Sequence, residues 1–227
     1  MDRARPRHAL SDRQWSLIRG SLPATGGTGR PWKDHRSVID GILWILHTGS
    51  PWRDLPDRFG SWKTVYERFR RWTREGLWAA ILAKVQSDKQ VHGKIDCGLF
   101  AIDSKIRRAH KAAAGSEKGR PANEPVDHAI GRSRGGLSTK IHLVCDRTGL
   151  PLSASLTAGQ AHDLTACAPP VDAIKVRTKG RMRRRPGLLV GDKAYSSSTF
   201  RRWLRSRRIG PVIPTRKNQP RDGRFDT

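Results

Sequence analysis

The chain changes its hydrophobic period once, near residue 92, and that change limits what it can fold into. Before it, apolar residues recur every three or four positions: Trp15, Ile18 and Leu22, then Val38, Ile42 and Ile45, then Val65, Phe69 and Trp72. After it come short apolar runs bounded by turn residues, at 99–106, 137–146, 150–159, 187–192 and 209–215, which read as strands. Seven of the eight tryptophans precede residue 80, so the two halves also have different cores. The expectation is an all-α unit over 1–92 and a mixed α/β unit over 93–227.

Local signals fill in each half. Ser11 and Gln14 are spaced as a capping box, and Gly49 is placed to stop the helix that carries Val38, Ile42 and Ile45. A further helix is expected over about 77–88. Three short helices with a turn before a basic third one look like a helix-turn-helix. Lys63, Thr64, Arg68, Arg71 and Arg74 would then lie on the face of that third helix away from Val65, Phe69 and Trp72. A plain helical bundle with a solvated basic face fits the same pattern, and the tryptophans read as core. In the second half, "DRTG" at 146–149 signals a hairpin, and helices are expected at about 162–174 and 196–207. Residues 107–136 read as a long loop and 175–187 as a cationic run.

Charge narrows the function. The 227 residues carry a formal net charge of +25, which points to a polyanionic partner, nucleic acid first. Residues 1–92 hold 17 cationic against 9 acidic side chains, and 93–227 hold 28 against 11. The three cysteines form no CxxC pair, so a zinc knuckle or disulfide framework is not expected and a reducing cytoplasm is. No signal peptide or membrane span is expected either.

Against that cationic background, two aspartates stand out. Leu99–Ile102 run into Asp103, and Leu188–Gly191 run into Asp192. A lone buried carboxylate is costly unless paired or metal-bound. Two carboxylates at strand ends suit hard divalent cations, and a pair of such ions about 3.5–4 Å apart suits phosphodiester cleavage. An aspartate ending a strand is also a common turn or cap residue, and pattern alone leaves both readings open.

The motifs then add up to a resemblance. "LSDRQWSLIRGSLP", "GRPWKDHRSVIDGILWILHTGSPWRDLPDRFGSWKTVYERFRRW", "AIDSK", "GRSRGGLSTKIHLVCDRTGLPLSASLTAGQAHD", "LLVGDKAY" and "PVIPTRKN" resemble bacterial insertion-sequence transposases of the insertion-sequence-five group. The resemblance covers nearly the whole chain. It implies an RNase H-like catalytic unit with a DDE metal site, Asp103 as the first acid and Asp192 as the second, and two Mg2+ or Mn2+ ions in the complete enzyme. It implies binding of terminal inverted repeats and target DNA, strand cleavage and strand transfer, and a homo-oligomer on DNA in the bacterial cytoplasm or nucleoid. No covalent protein–DNA intermediate is implied, so Tyr195 reads as a packing residue. Lys193, Lys140 and Arg134 are further candidates for DNA contact, and His162 and Asp163 border the site or cap a helix.

The family's third acid is a glutamate on a helix after the fifth strand. No glutamate follows Glu124, and Asp222 and Asp226 match no motif position. The chain is therefore expected to lack the third-acid helix, which leaves one sheet face uncovered. It is either a transposase active in its complete form or a truncated DNA-binding regulator.

Overall fold

The computed structural model describes residues 8–24, 33–91, 95–109, 128–178, 181–183 and 185–219. The chain divides into two units, Met1–Asp88 and Lys89–Thr227.

The first unit is helical. Helix α1 (Asp12–Ile18) starts at Ser11, whose hydroxyl accepts from the Gln14 amide while the Gln14 side chain accepts from the Ser11 amide. Helix α2 (His35–Thr48) is capped by Asp34, which accepts from the Ser37 amide at 2.9 Å. It ends at Gly49 with φ 70°, a left-handed conformation that favours glycine. Helices α3 (Trp62–Arg74) and α4 (Leu77–Val91) complete the unit. Val38, Ile42, Val65 and Trp72 are wholly buried between them. Trp52 packs on Tyr66 and Phe69, and Trp78 stands edge-on to Trp72, so these tryptophans are core side chains.

One expectation fails here. The link from α2 to α3 is not a tight turn; it runs from Gly49 to Ser61 through two 3-10 segments, Trp52–Asp54 and Asp57–Phe59. Pro51 and Pro56, which begin these segments, cannot extend a helix from before them, and Leu55 and Phe59 fold the link back into the core. A helix-turn-helix turn has three or four residues.

The second unit is built on one sheet. Strands β1 (Leu99–Arg108), β2 (Gly131–Ser133), β3 (Gly136–Asp146), β4 (Pro151–Ala158), β7 (Leu188–Gly191) and β8 (Gly210–Val212) form it. Strand β3 lies antiparallel to β1 on one side and to β4 on the other, with β2 as a short hairpin onto its start. Strand β7 runs parallel to β1, and β8 parallel to β7. The spatial order β4–β3–β1–β7–β8, three antiparallel strands followed by two parallel ones, is the RNase H-like arrangement. Strands β5 (Val176–Thr178) and β6 (Arg181–Arg183) pair separately, so the cationic run folds into a small hairpin of its own.

The two faces of the sheet differ. Phe100, Ile102, Val144, Leu152 and Leu189 turn to one face and are buried. They are covered by α5 (Ala168–Asp172), α6 (Ser198–Ser206) and the side chains of Tyr195 and Ile213. The expected helix over 162–174 is broken into a 3-10 turn, Asp163–Ala166, and the short α5, because Pro169 and Pro170 lie at its start. On the opposite face, Ala101, Leu143, Cys145 and Val190 are half-buried, and Leu156 and Leu188 are 57% and 43% exposed. Among the described residues no helix is long and apolar enough to cross a membrane.

This asymmetry predicts opposite outcomes at adjacent positions. Leu189→Ala should cost about 2–5 kcal/mol in urea denaturation, whereas Leu188→Ala should cost less than about 1 kcal/mol. A second expectation concerns the helical unit. Arg68 donates to Nδ1 of buried His35 at 2.8 Å, so Nε2 carries the proton and donates to the Pro23 carbonyl at 3.0 Å. Burial, aided by the Arg68 charge, holds the His35 imidazole below its ordinary value of 6.5. The unfolded chain then takes the proton more readily than the folded one. Stability should be full above about pH 6.5 and fall as the pH drops through the lowered folded value. His35→Gln should flatten that slope in unfolding midpoints measured from about pH 8 to 5.

Candidate active site

The two aspartates meet through strand register. The parallel pairing of β1 with β7 runs Leu99 to Leu188, Phe100 to Leu189, Ala101 to Val190 and Ile102 to Gly191. Asp103 continues β1 and Asp192 directly follows the end of β7, so one more step of the same register would bring their backbones to one inter-strand spacing, ~4.8 Å. Alternation puts Asp103 on the open face with Ala101. Gly191, just before Asp192, leaves room on the covered face for the side chains of Ile102 and Tyr195. A Cβ there would lie 3.1 Å from the Ile102 side chain and 3.4 Å from the Tyr195 ring.

Neither aspartate is buried; both are exposed, which corrects the picture of acids ending buried strands. The exposed pair avoids the full desolvation cost that a buried one would carry. Each carboxylate uses Oδ1 locally: Asp103 accepts from the Ser104 amide at 2.7 Å, and Asp192 accepts from the Ala194 amide at 2.9 Å. Asp192 thereby caps a 3-10 turn, Lys193–Tyr195, so the cap reading of this residue is correct as geometry. The cap fixes the carboxylate's direction, and Oδ2 of each aspartate has no partner among the described residues.

Beneath the pair lies a polar cluster on the covered face. The Asp163 carboxylate accepts from the Ser104 hydroxyl at 2.7 Å and lies 3.1 Å from the Lys140 ammonium, which also donates to the Ala161 carbonyl at 2.7 Å. Burial alone would raise the Asp163 carboxyl; the hydrogen bonds from Ser104 and Lys140 outweigh it and hold it below the ordinary value. His142 is wholly buried 4.0 Å from the same carboxylate, and burial keeps its imidazole below the usual range. The Tyr195 hydroxyl is buried beside Ser104; burial drives its phenol far up, Ser104 opposes the rise, and the charges of Asp163, Asp103 and Asp192 add to it. Tyr195 is a packing residue under the acid pair.

The turn after β7 is braced from its far side. The Arg216 guanidinium donates to the carbonyls of Lys193 at 3.0 Å and Ala194 at 3.2 Å. Gln219 donates to the Ser196 carbonyl at 3.1 Å. Buried Arg201 donates to the Ile213 carbonyl and to the Ser196 hydroxyl.

The predicted cationic residues separate into two kinds. Lys193 and Arg134 are exposed. Lys140 is 8% exposed and committed to Asp163 and Ala161, so it does not belong to a cationic surface. In the helical unit, Lys63, Thr64, Arg68, Arg71 and Arg74 line one open groove along α3, together with Glu67. Within it, Arg71 pairs with Glu75 at 2.8 Å, and Arg68 is held by His35 and by the Lys33 carbonyl. Asp163 is the residue that sequence reasoning undervalued. Its signal was its place in "AGQAHD", directly after a strand, with Lys140 and Ser104 only brought near by the sheet. Asp222 and Asp226 lie outside the described residues.

The donor set suits a hard cation. Magnesium is held by one or two carboxylates together with waters and substrate phosphates, and two adjacent carboxylates with free oxygens meet that need. Among the described residues no group of three or more His, Cys, Asp or Glu side chains is arranged to hold a metal ion.

Comparison with known proteins places the chain among transposase families. Residues 10–82 match the family described as "Putative transposase of IS4/5 family", and residues 98–222 match the "Transposase DDE domain" family. The chain is 36% identical over 117 residues to "Uncharacterized protein y4sN" of Sinorhizobium fredii, covering 51% of this chain and 89% of that one. It is 38% identical over 107 residues to "Putative transposase for insertion sequence element IS402" of Burkholderia cepacia, covering 46% of this chain and 49% of that relative. The chain thus spans about half the length of the IS402 protein. Among solved structures, the piggyBac transposase synaptic complex with hairpin DNA is 14% identical with a TM-score of 0.41, over 91% of this chain and 47% of that one. The Mos1 transposase paired-end complex is 11% identical with a TM-score of 0.28, over 82% and 60% respectively. With a DDE-domain match over more than half its length and two strand-borne aspartates side by side, the chain belongs to the transposase DDE domain family.

Proposed function

We propose that this protein is the transposase of a bacterial insertion sequence, acting as a multimer on DNA in the cytoplasm. The helical unit binds the element's terminal inverted repeats, and the sheet unit cuts and rejoins DNA strands. The observation that supports this reading is the β1–β7 register, whose last pair, Ile102 and Gly191, directly precedes Asp103 and Asp192 within the family-matched region.

Asp103 and Asp192 would hold the divalent cations, Mg2+ or Mn2+, through the oxygens their backbone caps leave free. When bound, such ions activate an attacking oxygen and stabilise a leaving one. The chain's own residues do the rest. Ser104 and Ala194 amides fix the two carboxylates, and Lys193, beside Asp192 and exposed, is placed to take a DNA phosphate. The cationic groove of α3 takes duplex backbone in the helical unit, with Lys63, Arg71 and Arg74 as the contacts and Arg68 held toward His35. The reaction is hydrolysis of a phosphodiester at the element's end, then attack of the freed 3′-hydroxyl on target DNA. Tyr195 is 1% exposed, which supports the absence of a tyrosyl–DNA intermediate.

A second reading has one observation in its favour: the described residues gather two acids at this site and no third. On that reading the protein occupies the element ends without cutting them. The two readings part in one assay. With Mg2+ or Mn2+, the transposase reading expects nicking at the repeat ends, lowered at least about 1,000-fold by Asp103→Asn or Asp192→Asn with repeat binding kept. Tight repeat binding with no cleavage in either metal would favour the second reading. Full activity in Asp192→Asn would remove that residue from the site.

A further inference from the structure

Strand β1 outruns its own core. Its first four residues alternate between half-buried and buried, but from Asp103 to Arg108 only Ser104 is shielded, and Ile106 is 51% exposed. The strand nevertheless stays in register with β3 as far as the Arg108–Ser138 pair, where β2 joins as a hairpin. Ordering so many exposed residues costs chain entropy without an apolar return.

Charge gives this ribbon its character. Lys105, Arg107 and Arg108 lie on β1, Arg132 on β2 and Arg134 in the β2–β3 turn, and neither 104–108 nor 128–145 contains an acidic residue. By strand alternation Lys105 and Arg107 share the open face with Asp103. Their partners on β3 are Ile141 and Thr139, both uncharged. Lys105 and Arg107 are exposed and make no ion pair among the described residues, unlike Lys140 on the covered face, which Asp163 neutralises. The sheet therefore offers a line of one carboxylate followed by two free cations. Strand rise places the two cations about 6.6 and 13 Å beyond Asp103. A DNA strand advances about 3.4 Å per nucleotide along its axis. Successive phosphates of one strand lie farther apart than this axial rise, at a spacing close to the step between the two cations, so Lys105 and Arg107 fall opposite the phosphates next to the one held at the acid pair.

We infer that the open face of β1 beyond Asp103 is a track for one DNA strand, with Lys105 and Arg107 each holding a phosphate on one side of the cleaved bond. This rests on the transposase reading and adds to it the path that the strand takes. The competing use of such cations is to keep an exposed strand edge from pairing with another chain, since β7 stops at Gly191 and leaves β1 without a parallel neighbour beyond Ile102.

The test uses the full chain and a duplex ending in the element's terminal repeat. Affinity is measured against salt for the wild type, for Lys105→Gln/Arg107→Gln, and for Arg147→Gln/Lys175→Gln, two exposed cations elsewhere in the same unit. The track predicts that the first double variant lowers the salt slope by about 1.4–1.8, the value for two lost phosphate contacts, and the second leaves it unchanged. Neutral methylphosphonates at the one or two phosphates nearest the repeat's end should weaken the wild type, while the Lys105→Gln/Arg107→Gln protein should be indifferent to them. Equal losses in both double variants, or an unchanged slope in the first, would overturn the track. Self-association of the first variant with unaltered DNA binding would overturn it in favour of edge protection. A wild type that does not recognise the repeats overturns the transposase reading as well. Normal recognition of the repeats with an unchanged salt slope in the Lys105→Gln/Arg107→Gln variant overturns the track alone.

Discussion

The parallel contact between β1 and β7 is the constraint on which the second unit depends. It joins an antiparallel meander to a segment that begins many residues later, and it does so at the centre of the sheet. Ile102 and Gly191 are its last pair, and the missing Cβ at 191 lets β7 approach while the Tyr195 ring slides beneath. One step further in the same register, two carboxylates stand together. Their proximity is a result of hydrogen bonding between backbones, and the aspartates themselves contribute nothing to it. Two like charges so close repel, which exposure to water softens and a cation would reverse.

The region around that pair keeps its charges apart by face. On the covered side, Lys140, Asp163 and Ser104 satisfy one another, and His142 stays neutral beside them. On the open side the free cations and free carboxylate oxygens are left for something outside the unit. In the helical unit the division falls within a single groove, where Arg68 is tied to His35 while Lys63 lines the same α3 surface. Net charge alone gives no hint of it, since committed and uncommitted cations are chemically the same residues.

Much of this was legible in the sequence. The capping box at Ser11 and Gln14, the stop at Gly49, the hairpin at Asp146–Gly149 and the main strands follow from local rules that tertiary structure did not override. What escaped was whatever depended on distant partners. Strand β2 and the β5–β6 hairpin lie in stretches too polar to look like strands; β2 is held by pairing with its neighbour β3, and β5 by a wholly buried Val176. Lys140 looked like a surface cation because the pattern cannot show Asp163 arriving from the far side of β4. The two aspartates stand out by their position at strand ends, yet their exposure was misjudged, because an apolar run into an aspartate reads as buried whichever face the aspartate takes. The exposure of Leu156 and Leu188 on the open face had no local signal, since both are apolar residues of apolar runs.

The brace from Arg216 and Gln219 has a temporal meaning. Asp103 leaves the ribosome more than a hundred residues before the side chains that hold the Asp192 turn from behind. A nascent chain can form the β1–β3–β4 meander early, because those contacts are local. It can complete the acid pair only after Leu188–Gly191 has been inserted beside β1, and can lock it only once residue 219 is available. The acid pair therefore assembles only after the meander that carries its first member has already been made.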